Sequence, residues 1–312
     1  LEGTGPKRDQ AIVIGAHYDH LGHGEPGSAD PGSKEIHNGA DDNASGVAVL
    51  IEVARRLSER SQKLPRTVVF LAFTGEERGL LGSANYVRHP LVPLDKTIAM
   101  INMDMVGRLT DEKLIIYGTD TAKEFEPLVE RLGKPLKFDI ATKHGGFGPS
   151  DHSSFYAREI PVMHFFTGSH PDYHRPTDDF PKLNVDGMRR VGLLVSDVAV
   201  ALADAADPPH FQESQEKPAG GDGGDRPYFG SVPDFSSGDT GYALAGVTKG
   251  SPADKAGIKA KDVIIRFGDS KIGGLEDFDS ALRKFKAGDK VPVVVRRGKE
   301  EVKLDVTLDP PR

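Results

Sequence analysis

Nine residues, Asn38-Gly39-Ala40-Asp41-Asp42-Asn43-Ala44-Ser45-Gly46, constrain this chain more than any other stretch. Two acids and an amide stand side by side between glycines, and an apolar periodic run (Val47, Leu50, Ile51, Val53, Ala54, Leu57) follows at once. Glycine permits backbone angles closed to other residues, and Asp, Asn and Ser are the residues that start helices. The spacing predicts a helix from about residue 44 to about residue 60. One acid suffices to cap a helix, however, and adjacent carboxylates repel unless a positive charge lies between them. The stretch reads either as an over-provided helix cap or as part of a cation site, and the choice rests on whether other ligands exist.

Composition narrows what those ligands are. The chain has no cysteine, which excludes disulfides and thiolate metal sites and leaves His, Asp and Glu as strong ligands. Its 312 residues, 37% hydrophobic and 28% charged, are ordinary for soluble globular domains and leave room for two. A net charge of −7 with no long basic run argues against a nucleic-acid surface. No apolar stretch approaches the ~20 residues of a membrane span. The sequence opens on Leu1 rather than Met. With the missing cysteines, this sets the expectation of a processed, exported protein, periplasmic or secreted.

Composition also divides the chain. Residues 1–206 alternate short apolar runs with amphipathic helical patterns, the signature of an α/β fold with a mixed, mostly parallel sheet flanked by helices. Residues 207–225, rich in Pro, Gly and charge, read as a flexible linker. Residues 226–312 read as a second, small β-rich domain.

In the first domain one strand run after another ends in a metal-compatible residue. Ala11–Ala16 leads into His17-Tyr18-Asp19-His20. His17 and Asp19 lie two apart on an extended strand end, so Asp19 can accept a hydrogen bond from the ring nitrogen of His17 that faces no metal. Arg66–Phe73 leads into Gly75-Glu76-Glu77, where one carboxylate can bind metal while the other carries a proton. Thr97–Met103 leads into Asp104. His174 follows on the loop after Val162–Phe166. His20 and His23, in glycine-rich surroundings, read as incidental loop histidines, and His164 as a supporting histidine within its strand. Open α/β sheets bind ligands at the carboxyl ends of their strands, where these residues gather.

The ordered set His17-Tyr18-Asp19, Gly39-Ala40-Asp41-Asp42-Asn43-Ala44-Ser45-Gly46, Gly75-Glu76-Glu77, Asn102-Met103-Asp104, Ser150-Asp151-His152 and Tyr173-His174 resembles the co-catalytic zinc aminopeptidases of peptidase clan MH, over residues 11–205. The resemblance implies a zinc-exopeptidase fold and two Zn²⁺, with Co²⁺ or Mn²⁺ as possible substitutes. One ion would be held by His17 and Asp104 and the other by Glu77 and His174, with Asp42 bridging and Asp41 as its neighbour. It further implies Glu76 as general base toward a water between the metals, Tyr173 as donor to the oxyanion, Asp19 as orienter of His17, and a cis peptide after Asp42. The loop at 143–152 resembles the family's substrate-pocket loop. Phe147, Asp151, His152 and Phe155 are therefore candidate pocket residues, although a glycine-rich loop is equally compatible with simple mobility.

The second domain has its own signature. Gly250-Ser251-Pro252-Ala253-Asp254-Lys255-Ala256-Gly257-Ile258 and Asp262-Val263-Ile264-Ile265 resemble a PDZ domain of the bacterial, protease-associated type. This implies a groove for a peptide or protein C-terminus, with Tyr228-Phe229-Gly230 as the carboxylate loop. The reading that results is a metal-dependent exopeptidase acting on peptide N-termini. The alternatives are a di-zinc carboxypeptidase and a peptide-binding scaffold whose hydrolase domain is inactive.

Overall fold

A computed structural model describes residues 1–24, 28–30, 33–214, 227–233 and 240–310. The chain forms two compact units, residues 1–146 with 150–215, and residues 147–149 with 216–312. The expected linker splits in two. Residues 207–214 are laid along the first unit: Phe211 bridges Ala122, Gln212 N–H donates to Thr121 O at 2.9 Å, and Ser214 N–H to the Tyr156 hydroxyl at 2.8 Å. The rest of the expected linker, residues 215–225, lies outside the described residues.

The first unit is built on strands β1 (Ala11–His17), β2 (Thr67–Phe73), β3 (Thr97–Met103), β4 (Lys113–Tyr117), β5 (Asp139–Lys143) and β6 (Val162–Phe166), in spatial order β2-β1-β3-β6-β4-β5. Only β4 and β6 pair antiparallel; the other neighbours are parallel. The central strands β1 and β3 are buried along their whole length, as their predominantly apolar runs require. The helices are α1 (Gly46–Ser58), α2 (Leu81–Arg88), α3 (Phe125–Gly133), α4 (His152–Tyr156) and α5 (Val185–Asp204). On α1 the buried stripe is Val49, Leu50, Val53 and Leu57, at helical spacing. It packs with Val191, Leu194 and Val198 of α5 over Ile12, Ile14 and Ala16 of β1. The buried guanidinium of Arg66 closes the end of α5, donating to the carbonyls of Leu202, Ala203 and Ala205 at 2.6–3.0 Å, where a cation meets the negative end of the helix dipole. No helix among the described residues is long and apolar enough to cross a membrane.

The second unit has strands β7 (Ser231–Pro233), β8 (Tyr242–Val247), β9 (Val263–Phe267), β10 (Ser270–Lys271), β11 (Lys290–Arg297) and β12 (Glu300–Thr307). All pairs are antiparallel, in order β12-β11-β9-β8-β7, with β10 on β9. Helices α6 (Pro252–Lys255) and α7 (Leu275–Leu282) complete it. Ser251 caps α6 by accepting from Asp254 N–H at 3.2 Å, with Pro252 at the first helical position.

The side chain of Phe229 belongs to the core of this unit. It is 2% exposed and its ring meets Phe267 and Phe278 edge-on at 5.5 and 5.0 Å. The Tyr228 amide donates to Asp309 O, and the carbonyls of Phe229 and Gly230 accept from Ala253 and Thr248. Gly230 sits at φ +86°, with Ser251 Cβ where its own Cβ would be. The Phe229 side chain thus serves the core, where an aromatic ring in a small β-rich unit is worth more than as exposed lining, and only backbone amides of Tyr228-Phe229-Gly230 are left for the expected carboxylate loop. Phe229→Ala in the full chain is expected to lower the stability of this unit by about 3–5 kcal/mol, read as a shifted denaturant transition. An unchanged transition would contradict the core role.

Candidate metal centre

Strands β1, β2 and β3 run parallel, so their carboxyl ends emerge together. The chain leaves β1 for β2 on one side and then reaches β3 on the other, which makes the end of β1 a switch point where a crevice opens. His17 is the last residue of β1, Asp104 directly follows β3, and Glu76 and Glu77 lie in the turn after β2. Asp42 stands on the loop before α1, and Tyr173 and His174 on the loop between β6 and α5.

The structure brings these residues together. His17 Nε2 lies 3.3 Å from Asp42 Oδ1 and 3.2 Å from Asp104 Oδ1. His174 Nε2 lies 3.2 Å from Asp42 Oδ2 and 3.2 Å from Glu77 Oε2. Asp42 thus turns one oxygen to each imidazole, and two three-residue clusters share it. Four ligands on a tetrahedral ion at ~2.0 Å stand roughly 3.3 Å apart, the spacing found at every one of these contacts.

Charge points the same way. Burial pushes the Glu76 carboxyl well above its ordinary range; His17 opposes this, and the nearby charges of Asp104, Asp151 and Glu77 add to it. Burial likewise pushes Asp151 up to about 7, and both its oxygens are buried without a hydrogen bond of ordinary geometry. Burial alone would lower His174, but Asp42 and Glu77 outweigh it and raise the imidazole to about 10. His17 is raised well above its usual value in the same manner, Asp104 and Glu76 overcoming burial. The cage carries more negative charge than its own residues neutralise, which is the condition a bound cation relieves. Imidazole and carboxylate donors fit zinc.

The neighbours of Asp42 are tied elsewhere. Asp41 turns away, accepting from Gly107 N–H at 2.6 Å and meeting His170 Nε2 at 3.1 Å. Asn43 Oδ1 accepts from Gly46 N–H and Met105 N–H, while its amide donates to Met103 O. Thus Asn43, not an aspartate, accepts the first amide of α1, and Ser45 at the cap position makes no side-chain cap bond. The peptide Asp42–Asn43 is cis. Asp178, fully buried, accepts the amides of both Asp41 and Asp42 on Oδ2 and holds Arg108 on Oδ1 at 2.8 Å. Sequence reading did not single out Asp178; its position four residues past His174 was the available signal.

Several expectations need correction. Asp19 meets His17 Nδ1 through its backbone carbonyl at 3.1 Å, with its carboxylate at 3.8 Å. That carboxylate instead accepts the amides of Glu76 and Glu77 at 3.1 and 3.3 Å, because consecutive amides of a tight turn converge on one acceptor. His20 is not incidental: its Nδ1 is 2.8 Å from Glu77 Oε1 and its ring meets His174 edge-on at 5.9 Å. Phe155 lines no open pocket, being fully buried against Phe73 and Tyr86. His152 is also buried, stacked on His164 at 4.5 Å, and burial lowers its pKa. His164 Nδ1 in turn meets the Asn102 side-chain amide at 3.1 Å. Phe147 is half-buried and groups outside the first unit. Tyr173 stacks on His174 with ring centres 3.8 Å apart. Burial of its hydroxyl end, with the charges of Asp42, Glu77, Glu76 and Asp104, raises its pKa well above the usual.

The chain is similar to several known proteins. The aminopeptidase YwaD of Bacillus subtilis is 29% identical over 200 residues, which cover 61% of this chain and 40% of that protein. Among solved structures, the LapA aminopeptidase of Legionella pneumophila is 26% identical with a TM-score of 0.54, covering 64% of this chain and 52% of that one. The zinc aminopeptidase BSAP of Bacillus subtilis is 27% identical with a TM-score of 0.52, covering 63% and 47%. The chain thus spans about half the length of such relatives, or less. Residues 232–308 match the PDZ domain. Residues 1–199, carrying every residue of the two clusters, match peptidase family M28, and the chain belongs to that family.

Proposed function

We propose that the first unit is a di-zinc aminopeptidase that removes the N-terminal residue of peptides. The observation that carries this reading is the pair of three-residue clusters sharing Asp42 at the ligand spacing of zinc. His17 and Asp104 would hold one ion, Glu77 and His174 the other, and Asp42 both. Bound there, zinc supplies Lewis-acid polarisation of a peptide carbonyl and a water acidic enough to be deprotonated near neutral pH.

The remaining work falls to this chain's own groups. Glu76, in the buried acid-rich turn beside Glu77, has the raised proton affinity that suits a general base: its carboxylate takes a proton from the attacking water and delivers it to the leaving amine. Asp19 fixes that turn by its carboxylate and orients His17 by its carbonyl. The Tyr173 hydroxyl, kept protonated by its surroundings, donates to the oxyanion as charge develops there. The surplus of carboxylates favours a substrate bringing a free α-ammonium over one bringing a C-terminal carboxylate, and Arg108 is already held by Asp172 and Asp178. This favours the aminopeptidase over the carboxypeptidase alternative. An intact set of His17, Asp42, Glu76, Glu77, Asp104 and His174 disfavours an inactive scaffold.

In the second unit, β7 is one of the two edge strands, and the amides of Phe229 and Gly230 make no hydrogen bond among the described residues. Both features suit addition of a peptide strand with its terminal carboxylate on those amides. We assign this unit to capture of a peptide or protein C-terminus, separate from the scissile bond.

The test is hydrolysis of aminoacyl-nitroanilides by the full chain, stripped of metal and then given zinc. Zinc-restored release is expected, and a chain that binds two zincs yet releases nothing from any free-amine substrate would overturn the reading. Glu76→Gln is expected to keep both zincs by elemental analysis while kcat falls by about 10²–10⁴. Near-normal turnover in that variant would remove Glu76 from the role of base.

A further inference from the structure

Each cluster contains one carboxylate that is not shared, Asp104 in the first and Glu77 in the second. A carboxylate can bind metal through one oxygen or both, so a site that needs one must occupy the other. In the first cluster Asp104 turns Oδ1 to His17, and the Ser150 hydroxyl donates to Oδ2 at 2.7 Å. In the second, Glu77 turns Oε2 to His174, and His20 Nδ1 meets Oε1 at 2.8 Å.

We propose that His20 is a positioning residue for the second metal. Its Nδ1–H donates to Glu77 Oε1 and commits Glu77 to bind through Oε2 alone, as Ser150 does for Asp104. A carboxylate offers only lone pairs, so the shared proton belongs to Nδ1. The ring is seated for this task. Its side chain is 10% exposed, His174 lies against its edge, and Gly39 passes so close that a Cβ there would meet the ring at 2.6 Å. Gly39 also has φ +59°, so the glycine that opens the aspartate loop is required twice over. The donor atoms of His20, Asp42 and Glu77 are close enough to surround an ion themselves. Direct ligation nevertheless fits less well. The 2.8 Å contact is a hydrogen-bond length, shorter than the roughly 3.3 Å between ligands of one tetrahedral ion, and it engages the oxygen turned away from His174. His20 Nδ1 stands 3.9 Å from Asp42 Oδ2.

This inference rests on the di-zinc reading, and stepwise zinc affinities of the full chain, measured by competition with a chromophoric chelator, separate the two. Wild-type chain that takes up no second zinc overturns the di-zinc reading and the inference with it. Given two zincs in wild type, His20→Leu should weaken one stepwise affinity by about 10–100-fold and leave the other unchanged. His20→Asn, whose side-chain N–H can stand near the place of Nδ1–H, should recover most of that loss. The metal-free variants should unfold at the wild-type denaturant midpoint, which separates positioning of a ligand from general damage. Wild-type affinities in His20→Leu would overturn the proposal. So would a His20→Asn chain as weak as His20→Leu, an outcome that makes His20 a direct ligand.

Discussion

Asp42 can give one carboxylate oxygen to each cluster only because the residues on either side of it are bound elsewhere. Asp41 is drawn to Gly107 and His170, and Asn43 to Gly46, Met103 and Met105. Three adjacent polar side chains divide their partners: Asp41 and Asn43 are both tied to the end of β3 and the residues after it, with His170 also on Asp41, and Asp42 is left to the two imidazoles. Asp178 completes the arrangement by accepting the two amides that precede the cis peptide. A buried carboxylate with that many donors is a rigid fixture, since each unmade bond would cost about 1–3 kcal/mol. Its other oxygen binds Arg108, so the loop bearing Asp42, the loop bearing His174 and the segment after β3 are held as one piece.

The sheet supplies the frame for that piece. Parallel strands in register bring His17, the Glu76–Glu77 turn and Asp104 to the same edge, and buried apolar strands on either side of the switch point leave little room for that edge to shift. Gathering these acids carries an electrostatic cost, which the surrounding hydrogen bonds offset and a bound cation would relieve. The raised pKa values of His17 and His174 register that strain.

Much of this was legible in the sequence, and what was not has a physical reason. Strand ends announce themselves because an apolar run must stop where a polar ligand begins, so His17, Asp104 and the glutamate pair could be read from local pattern. The choice of Asp42 over Asp41 rested on resemblance alone, because a doublet has no local asymmetry; the structure separates the two by what each one faces. His20 was misjudged since its partner Glu77 is 57 residues away, and glycine-rich surroundings gave no hint of burial. Asp19 was expected to accept from the His17 ring, and its backbone carbonyl rather than its carboxylate lies at bonding distance, because strand alternation cannot say which of the two reaches the ring. Phe155 was read as lining, yet it is core. Apolar residues beside a loop motif carry the same letters in either role.

The two clusters differ in what supports them, and that difference explains where the accessory residues lie. His17 and Asp104 stand at or next to the ends of buried strands, so the first cluster inherits its precision from the sheet and needs only Ser150 to settle the free oxygen of Asp104. Glu77 and His174 stand on loops, which inherit nothing of the kind. Their fixed geometry has to come from side chains, and several gather there: the Asp19 carboxylate on the Glu77 amide, His20 on Glu77 Oε1, Asp178 of the His174 loop paired with Arg108, and Tyr173 stacked on His174 itself. A loop can hold a metal ligand as firmly as a strand when enough of its polar groups are spent on holding it. The residues that do so are those a pattern of strand ends does not reveal.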